Sequence, residues 1–269
     1  MIKKFSILFL LAISFSCFSQ TQDAPLDVSQ CAEQAPYGQP TGAKQDTTII
    51  CRKAYILEHN NKAKVPDWVS YVLIPAHAVG CVPRSNAFAP DRSLPEGSRS
   101  ELKDYAKSGY DIGHQANDGD MSWDVDVERE SFILSNMAPQ LPGFNRGIWK
   151  KLEDQTRAWA VSRNDTLLVY VGPIYSLTQD NAIGKDRVIV PHAFFKIIVD
   201  IKTNEVMAFE FKHESSSKEL DTFMTSLAQV QKDTGLVFPM PKDAVFSPNL
   251  WPSMTKSVRT SKKGVCQIR

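Results

Sequence analysis

The sequence predicts an α+β fold, with a mixed and largely antiparallel sheet flanked by helices. Three observations predict it. Stretches rich in β-branched and aromatic residues recur at 47–57, 65–74, 166–171, 188–201 and 205–212. The last two are separated only by Lys202-Thr203-Asn204, a spacing suited to a hairpin. Two longer stretches, 145–161 and 219–231, repeat apolar residues at spacings of three and four, so each buries one face of a helix.

At the N-terminus Lys3 and Lys4 precede an apolar run over 5–15, followed by the small residues Ser16 and Ser19. Residues 1–19 therefore read as a secretory signal peptide, cleaved near Ser19-Gln20; the run is too short to span a bilayer. Cys17 raises a lipoprotein anchor, against which Ser14-Phe15-Ser16 makes a poor lipobox. Export without a membrane anchor is expected. Residues 20–48, rich in Gln, Pro, Thr and Ala, form an N-terminal arm tied down at Cys31, and 49–269 form one domain. With 42% hydrophobic residues and no low-complexity tract, the chain can bury one sizeable core.

Strand 47–57 is expected to pair with 65–74 around a turn at Asn60-Asn61. Residues 83–97, with Pro83, Pro90 and Pro95, read as loop. Asp118, Asp120, Asp124, Asp126, Glu128 and Glu130 form an acidic cluster. It is not a calcium loop of EF-hand type, because Trp123 stands where the turn glycine belongs. These carboxylates read as solvated, with a subset ordering waters near a metal. Phe132-Ile133-Leu134 reads as a short strand, and 135–140 as a polar turn. Gly172-Pro173 should end the strand at 166–171, and Gly235 the helix at 219–231. Lys256, Arg259, Lys262 and Lys263 give the tail a basic stretch, read first as solvated surface and second as a phosphate contact.

The formal charge of +1 becomes about −1 without Lys3 and Lys4. Near-neutrality argues against a tight stoichiometric DNA binder and for a locally basic cleft that turns substrate over. Without the leader, Cys31, Cys51, Cys81 and Cys266 remain, an even number that reads as up to two disulfides with three possible pairings. There is no CxxC pair and no HExxH, so a zinc site has no support.

The chemistry concentrates in 105–157, YAKSGYDIGHQANDGDMSWDVDVERESFILSNMAPQLPGFNRGIWKKLEDQTR. His114 follows Asp111-Ile112-Gly113, Asn136 lies in Ser135-Asn136-Met137, and Asn145 opens the helix that carries Glu153 and Arg157. Eight residues of α-helix turn by roughly 80° net, so Asn145, Glu153 and Arg157 share one broad side. A neutral oxygen ligand, a carboxylate and a guanidinium so arranged suit a hydrated hard cation beside a phosphate. Taken alone, the same helix also fits a surface amphipathic helix capped by Asn145. A histidine is the side chain best suited to base catalysis near neutral pH. His59, His77, His192 and His213 lack such partners and read as structural or exposed.

The order DxGH, SNMAPQ, FNRGxWxxLE and then an arginine resembles the non-specific DNA/RNA endonucleases, of the ββα-metal or His-metal finger type. The successive steps from His114 through Asn136 and Asn145 to Glu153 are 22, 9 and 8 residues. The resemblance extends from about residue 55 to 238. It implies a ββα-metal finger, with 49–269 as the endonuclease domain and DNA and RNA as substrates. It makes His114 the general base, Asn145 the one protein ligand of Mg²⁺ (or Mn²⁺), and Glu153 the carboxylate ordering waters around it. Asn136 orders the site, Arg157 neutralises the transferring phosphate, and Arg84 is an upstream phosphate-binding arginine.

Two positions depart from the pattern. Ile112 stands where the family has arginine, and Asn117 where it commonly has proline. A missing guanidinium costs on the order of a few kcal/mol of transition-state stabilisation, which Arg99, Arg146 or Lys150 would have to replace. Arg146 is the candidate counted with Arg84 as substrate-binding. Two rival readings follow from Ile112: a non-catalytic nucleic-acid or partner-binding module on the same fold, and a phosphodiesterase of narrower range.

Overall fold

The computed structural model describes residues 24–42 and 46–252, so the leader and the basic tail, with Cys17 and Cys266, lie outside the described residues. The α+β expectation holds. An eight-stranded sheet runs in the order β1 (Thr47–Cys51), β2 (Tyr55–Asn60), β3 (Val65–Leu73), β6 (Leu167–Ile174), β9 (Ala193–Asp200), β10 (Glu205–Lys212) and β11 (Met224–Thr225). β12 (Val245–Phe246) also pairs with β10, and that pairing is the parallel one; the rest are antiparallel. Two small ladders stand apart from the sheet: β4 (Asp111–His114) with β5 (Met137–Gln140), and β7 (Ala182–Ile183) with β8 (Val188–Ile189).

Among the described residues six α-helices accompany the strands: α1 (Pro75–Ala78), α2 (Leu102–Tyr105), α3 (Asp118–Met121), α4 (Val125–Ser131), α5 (Lys150–Arg163) and α6 (Leu227–Thr234). No helix among the described residues is long and apolar enough to cross a membrane.

Both faces of the sheet are covered, which explains why β6 and β9 are buried along their whole length. Alternate residues go to opposite sides. Val169, Val171, Phe194, Ile198 and Phe209 pack with Trp149, Leu152 and Trp159 of the helical side. Leu168, Tyr170, Phe195, Ile197 and Val199 pack with Cys31, Ala35, Val230 and Phe238 on the other. A disulfide joins Cys31 to Cys51, so the arm is stapled to β1; Cys81 is also disulfide-bonded.

Several expected elements come out differently. The stretch 47–57 is two strands, because the chain turns back at 52–54 and β1 pairs with β2. β6 does not stop at Gly172-Pro173. β3 pairs with it only as far as Val171, so the missing Pro173 donor breaks no ladder on that side, and β9 accompanies it to Ile174. The stretch 188–201 is divided between β8 and β9, with Pro191 between them. The helix expected at 219–231 is also divided. A 3₁₀ turn at Leu220–Phe223 leads into β11, which the edge of β10 takes up, and α6 begins only where Ser226 Oγ caps Gln229 N at 3.1 Å. Gly235, with φ 76°, ends it as expected.

The strand expected at 132–134 is displaced to Met137–Gln140. Residues Leu134–Asn136 form a 3₁₀ turn, and the expected polar turn is β5, paired with β4.

Candidate active site

The β4–β5 ladder and the helix that follows it form a ββα unit. Its register sets Asp111 opposite Gln140 and His114 opposite Met137. Gly113 must be glycine here, since a Cβ would lie 2.3 Å from the Gln140 side chain, itself fully buried. The helix enters through a wide π-helical turn, Phe144–Trp149, and continues as α5. Such turns recur at functional sites because they re-aim side chains without ending a helix. α5 stops at Arg163 because Asn164 takes the left-handed conformation at φ 53° and donates to Ala160 O and Val161 O.

His114 ends β4 and is 7% exposed. Phe132 meets its ring edge-on at 4.8 Å between centroids, and Phe88 lies at 5.7 Å. Nε2 is sealed from solvent without a partner, so Nδ1 is the nitrogen left accessible. Burial pushes the imidazole pKa down to about 3, with Asp118 favouring the charged form and Arg84 opposing it. The ring is therefore neutral from mildly acidic pH upward.

Asn136 is fully buried and knits the chain after His114 to the turn before β5. Its Nδ2 donates to Ala116 O and Ser131 O at 2.8 Å, and its Oδ1 accepts from Ala116 N at 2.9 Å. Every polar atom of its amide is used internally.

Asn145 sits in the π-helical turn. Its Nδ2 donates to Asp111 Oδ2 at 2.9 Å, and Oδ1 has no protein partner among the described residues. Asp111 also holds Arg146, whose Nε donates to Oδ2 at 2.8 Å and Nη2 to Oδ1 at 2.5 Å, while 72% of the arginine side chain stays exposed. The sequence alone gives Asp111 no role; in the fold it is the residue that fixes both.

Glu153 and Arg157 follow on α5, and the structure brings them together with the start of α3. Arg157 Nη1 donates to Asp120 Oδ1 at 2.6 Å and to Asn117 Oδ1 at 2.8 Å, and its other terminal nitrogen reaches Asp154. Tyr71 Oη donates to the second Asp120 oxygen at 2.7 Å. The acidic cluster is thus not uniformly solvated: Asp120 is buried, and it anchors Arg157. Glu153 accepts no hydrogen bond from the described residues. Burial raises its carboxyl to about 7, opposed by Lys196 and Arg157 and reinforced by Asp120 and Asp118.

Arg84 comes to the same end of the ladder. Its guanidinium lies 4.8 Å from the Phe132 centroid, the ring that also abuts His114, and it pairs with Asp118. Ile112 packs as a partly buried apolar residue against the core. Of the three cations expected to replace a guanidinium there, Arg99 bonds to Glu101 and Leu94 O, and Lys150 pairs with Asp154. Of these three, Arg146 is the one that shares a partner with Asn145.

The remaining histidines are structural or, in the case of His192, exposed. His59 is buried with Nε2 2.8 Å from Ser98 O, and His77 stacks on Trp123 at 3.9 Å. His192 pairs with Asp180, and His213 bridges Leu141 N and Pro191 O. Among the described residues no three His, Cys, Asp or Glu side chains cluster as a metal cage. A hard cation held by one neutral oxygen and otherwise by water fits the donors present. Asn145 offers such an oxygen, and Asp111 prevents the amide from presenting its nitrogen instead.

Known nucleases resemble this chain. A nuclease of Syncephalastrum racemosum is 34% identical over 214 residues, covering 71% of this chain and 67% of its own. A nuclease of Nostoc sp. is 34% identical over 161 residues, covering 60% of this chain and 57% of its own. The present chain therefore spans between about half and two thirds of these relatives. A crystal structure of the EndoG/EndoGI complex superposes with a TM-score of 0.70 at 28% identity, over 78% of this chain and 91% of that one. The profile of the family described as DNA/RNA non-specific endonuclease matches residues 34–244, from the arm beyond Cys31 to the last turn before β12. By its ββα unit and by that match, the chain belongs to the DNA/RNA non-specific endonuclease family.

Proposed function

We propose that the protein is an exported, metal-dependent endonuclease that hydrolyses phosphodiester bonds of DNA and RNA with little sequence preference. One observation carries the reading. A neutral imidazole with one accessible nitrogen, His114, ends the ladder whose first residue, Asp111, orients the Asn145 oxygen.

His114 acts as the general base, accepting at Nδ1 the proton of the attacking water. A pKa of about 3 keeps the ring unprotonated but makes it weakly basic in the free protein. A phosphate anion bound beside it favours the imidazolium, and so strengthens the base as substrate arrives. Asn145 would hold Mg²⁺ (or Mn²⁺), which supplies Lewis-acid stabilisation of phosphoryl charge and of the leaving oxygen. Glu153, as a carboxylate, accepts hydrogen bonds from waters in front of α5. Asn136 keeps the His114 segment in place.

Arg84 and Arg146 meet substrate phosphates. Both are exposed, and each is held in position by an aspartate, Asp118 and Asp111. Arg157 acts at shorter range: its bonds to Asp120 and Asn117 hold a positive charge beside Glu153. Export is supported by the leader-like 1–19 and by disulfide bonding at Cys31, Cys51 and Cys81, chemistry typical of oxidising compartments. The domain reading is one endonuclease domain over 49–269.

Purified protein is incubated with plasmid DNA and with total RNA, in Mg²⁺, in Mn²⁺ and in EDTA. Smearing of both polymers with metal and none with EDTA is the expected result. Intact polymers under both metals, from a folded protein, would contradict the proposal.

A further inference from the structure

Lys196 lies on β9, between Phe194 and Ile198, the residues of that strand that face the helical side. It is completely buried, and its Nζ has no hydrogen-bond partner among the described residues. The ammonium stands 4.7 Å from the Trp149 ring centroid. Trp149 belongs to the turn that carries Asn145. An ammonium inside a protein is costly unless an opposite charge compensates it, and a cation–π contact offsets only part of that cost.

Four charged groups interact here: Lys196, Arg157, Glu153 and Asp120. Two of them are paired by hydrogen bonds. Asp120 takes one bond from Arg157 and one from Tyr71, and Arg157 is further bound by Asn117 and Asp154. Lys196 and Glu153 are left, each without a hydrogen bond among the described residues: Lys196 is fully buried against Trp149, and the partly exposed Glu153 follows Trp149 by one helical turn. Charge balance matches them to each other.

We propose that Lys196 is a positioning residue for the reaction, the counter-ion that keeps Glu153 a carboxylate and fixes it on the Asn145 side of α5. The proposal rests on the functional reading of Glu153 given above. The electrostatics agree: Lys196 is the largest influence opposing the upward push of burial on Glu153, and Glu153 the largest supporting the Lys196 ammonium. The other titratable groups facing Glu153 are Arg157 on its own helix, Asp118 and Asp120 on α3, and Tyr71 on β3.

The test uses the whole protein and a double-mutant cycle. Lys196→Met keeps the length of the side chain and removes its charge. Expected are a kcat about tenfold lower at pH 7, a KM within about twofold, and an acid limb of the kcat profile moved up by about one unit. In the Glu153→Gln background the same substitution changes kcat less than about twofold, because the carboxylate it serves is gone. Lys196→Gln is the second variant should Lys196→Met fail to fold by circular dichroism.

An unmoved acid limb in a folded variant overturns the proposal, as does a full tenfold drop in the Glu153→Gln background. Failure of both variants to fold assigns Lys196 to structural support alone and overturns it too. Glu153→Gln with unchanged kcat refutes the reading of Glu153 itself, and the proposal falls with it. Inactive Glu153→Gln beside an unmoved Lys196→Met limb refutes Lys196 only.

Discussion

Asn145 Nδ2 donates to Asp111 Oδ2 at 2.9 Å, so the residue expected to ligate a cation has its amide orientation set by a carboxylate 34 positions earlier. The same carboxylate grips Arg146, which makes Asp111 the link between the candidate ligand and a candidate phosphate-binding arginine. Asp111→Ala frees both. The half-saturating Mg²⁺ concentration for cleavage should rise about tenfold or more, the usual scale for removing a ligand's supporting partner. An unchanged Mg²⁺ titration would show that Asn145 needs no such support.

Arg84 is held over Phe132 beside His114 by Asp118, with 43% of its side chain exposed. If it meets a phosphate, Arg84→Ala should raise KM for DNA, with kcat changed less. It should also reduce the slope of log KM against log salt by about one, because one fewer phosphate is neutralised on binding. A slope equal to that of the wild type would remove Arg84 from the substrate path.

The Cys31–Cys51 disulfide joins residues 20 positions apart and ties the N-terminal segment to the edge strand β1. In chain-entropy terms such a loop contributes about 3 kcal/mol. Cys31→Ser with Cys51→Ser should therefore lower Tm by several degrees while leaving the ββα unit, and cleavage at room temperature, in place. Calorimetry and a digestion assay on the same sample check the two halves.

Acid should weaken the fold through His59. The ring is fully buried beside Ser98 O, and burial lowers its pKa from 6.5 to about 4. The folded state thus binds fewer protons than the unfolded one between these values. Its contribution is present above pH 6.5 and is lost as pH falls through about 4. Tm should drop between pH 7 and pH 4.5, and His59→Gln should show a smaller drop. An equal drop in the variant would place the acid sensitivity elsewhere.

Much of this fold was legible in the sequence because alternation and helical spacing are local signals. The hairpin around Lys202-Thr203-Asn204 and the pairing of 65–74 with the preceding strand both appear in the sheet. What local pattern missed was decided by distant partners. Residues 224–225 have helical spacing, yet the open edge of β10 draws them into a strand. Gly172-Pro173 is a breaker by composition, yet it lies just past the last β6 residue that pairs with β3, while β9 still pairs with it. The candidate site was legible as a set of side chains in order, since a motif preserves identity and spacing. Its supports were not. Asp111 and Asp120 were only letters in a motif and an acidic run until the ladder and α3 set them against Asn145 and Arg157. Lys196 carries no sequence signal beyond a lysine in an apolar strand, and its burial against Trp149 follows from the strand's register.

The account centres on His114 as the base, and one comparison tests it most directly. Folded His114→Ala and wild type are assayed on plasmid DNA with saturating Mg²⁺. Removing a general base should lower kcat by about 10²- to 10⁴-fold with an unchanged circular dichroism spectrum. A variant that cleaves at the wild-type rate would contradict the mechanism.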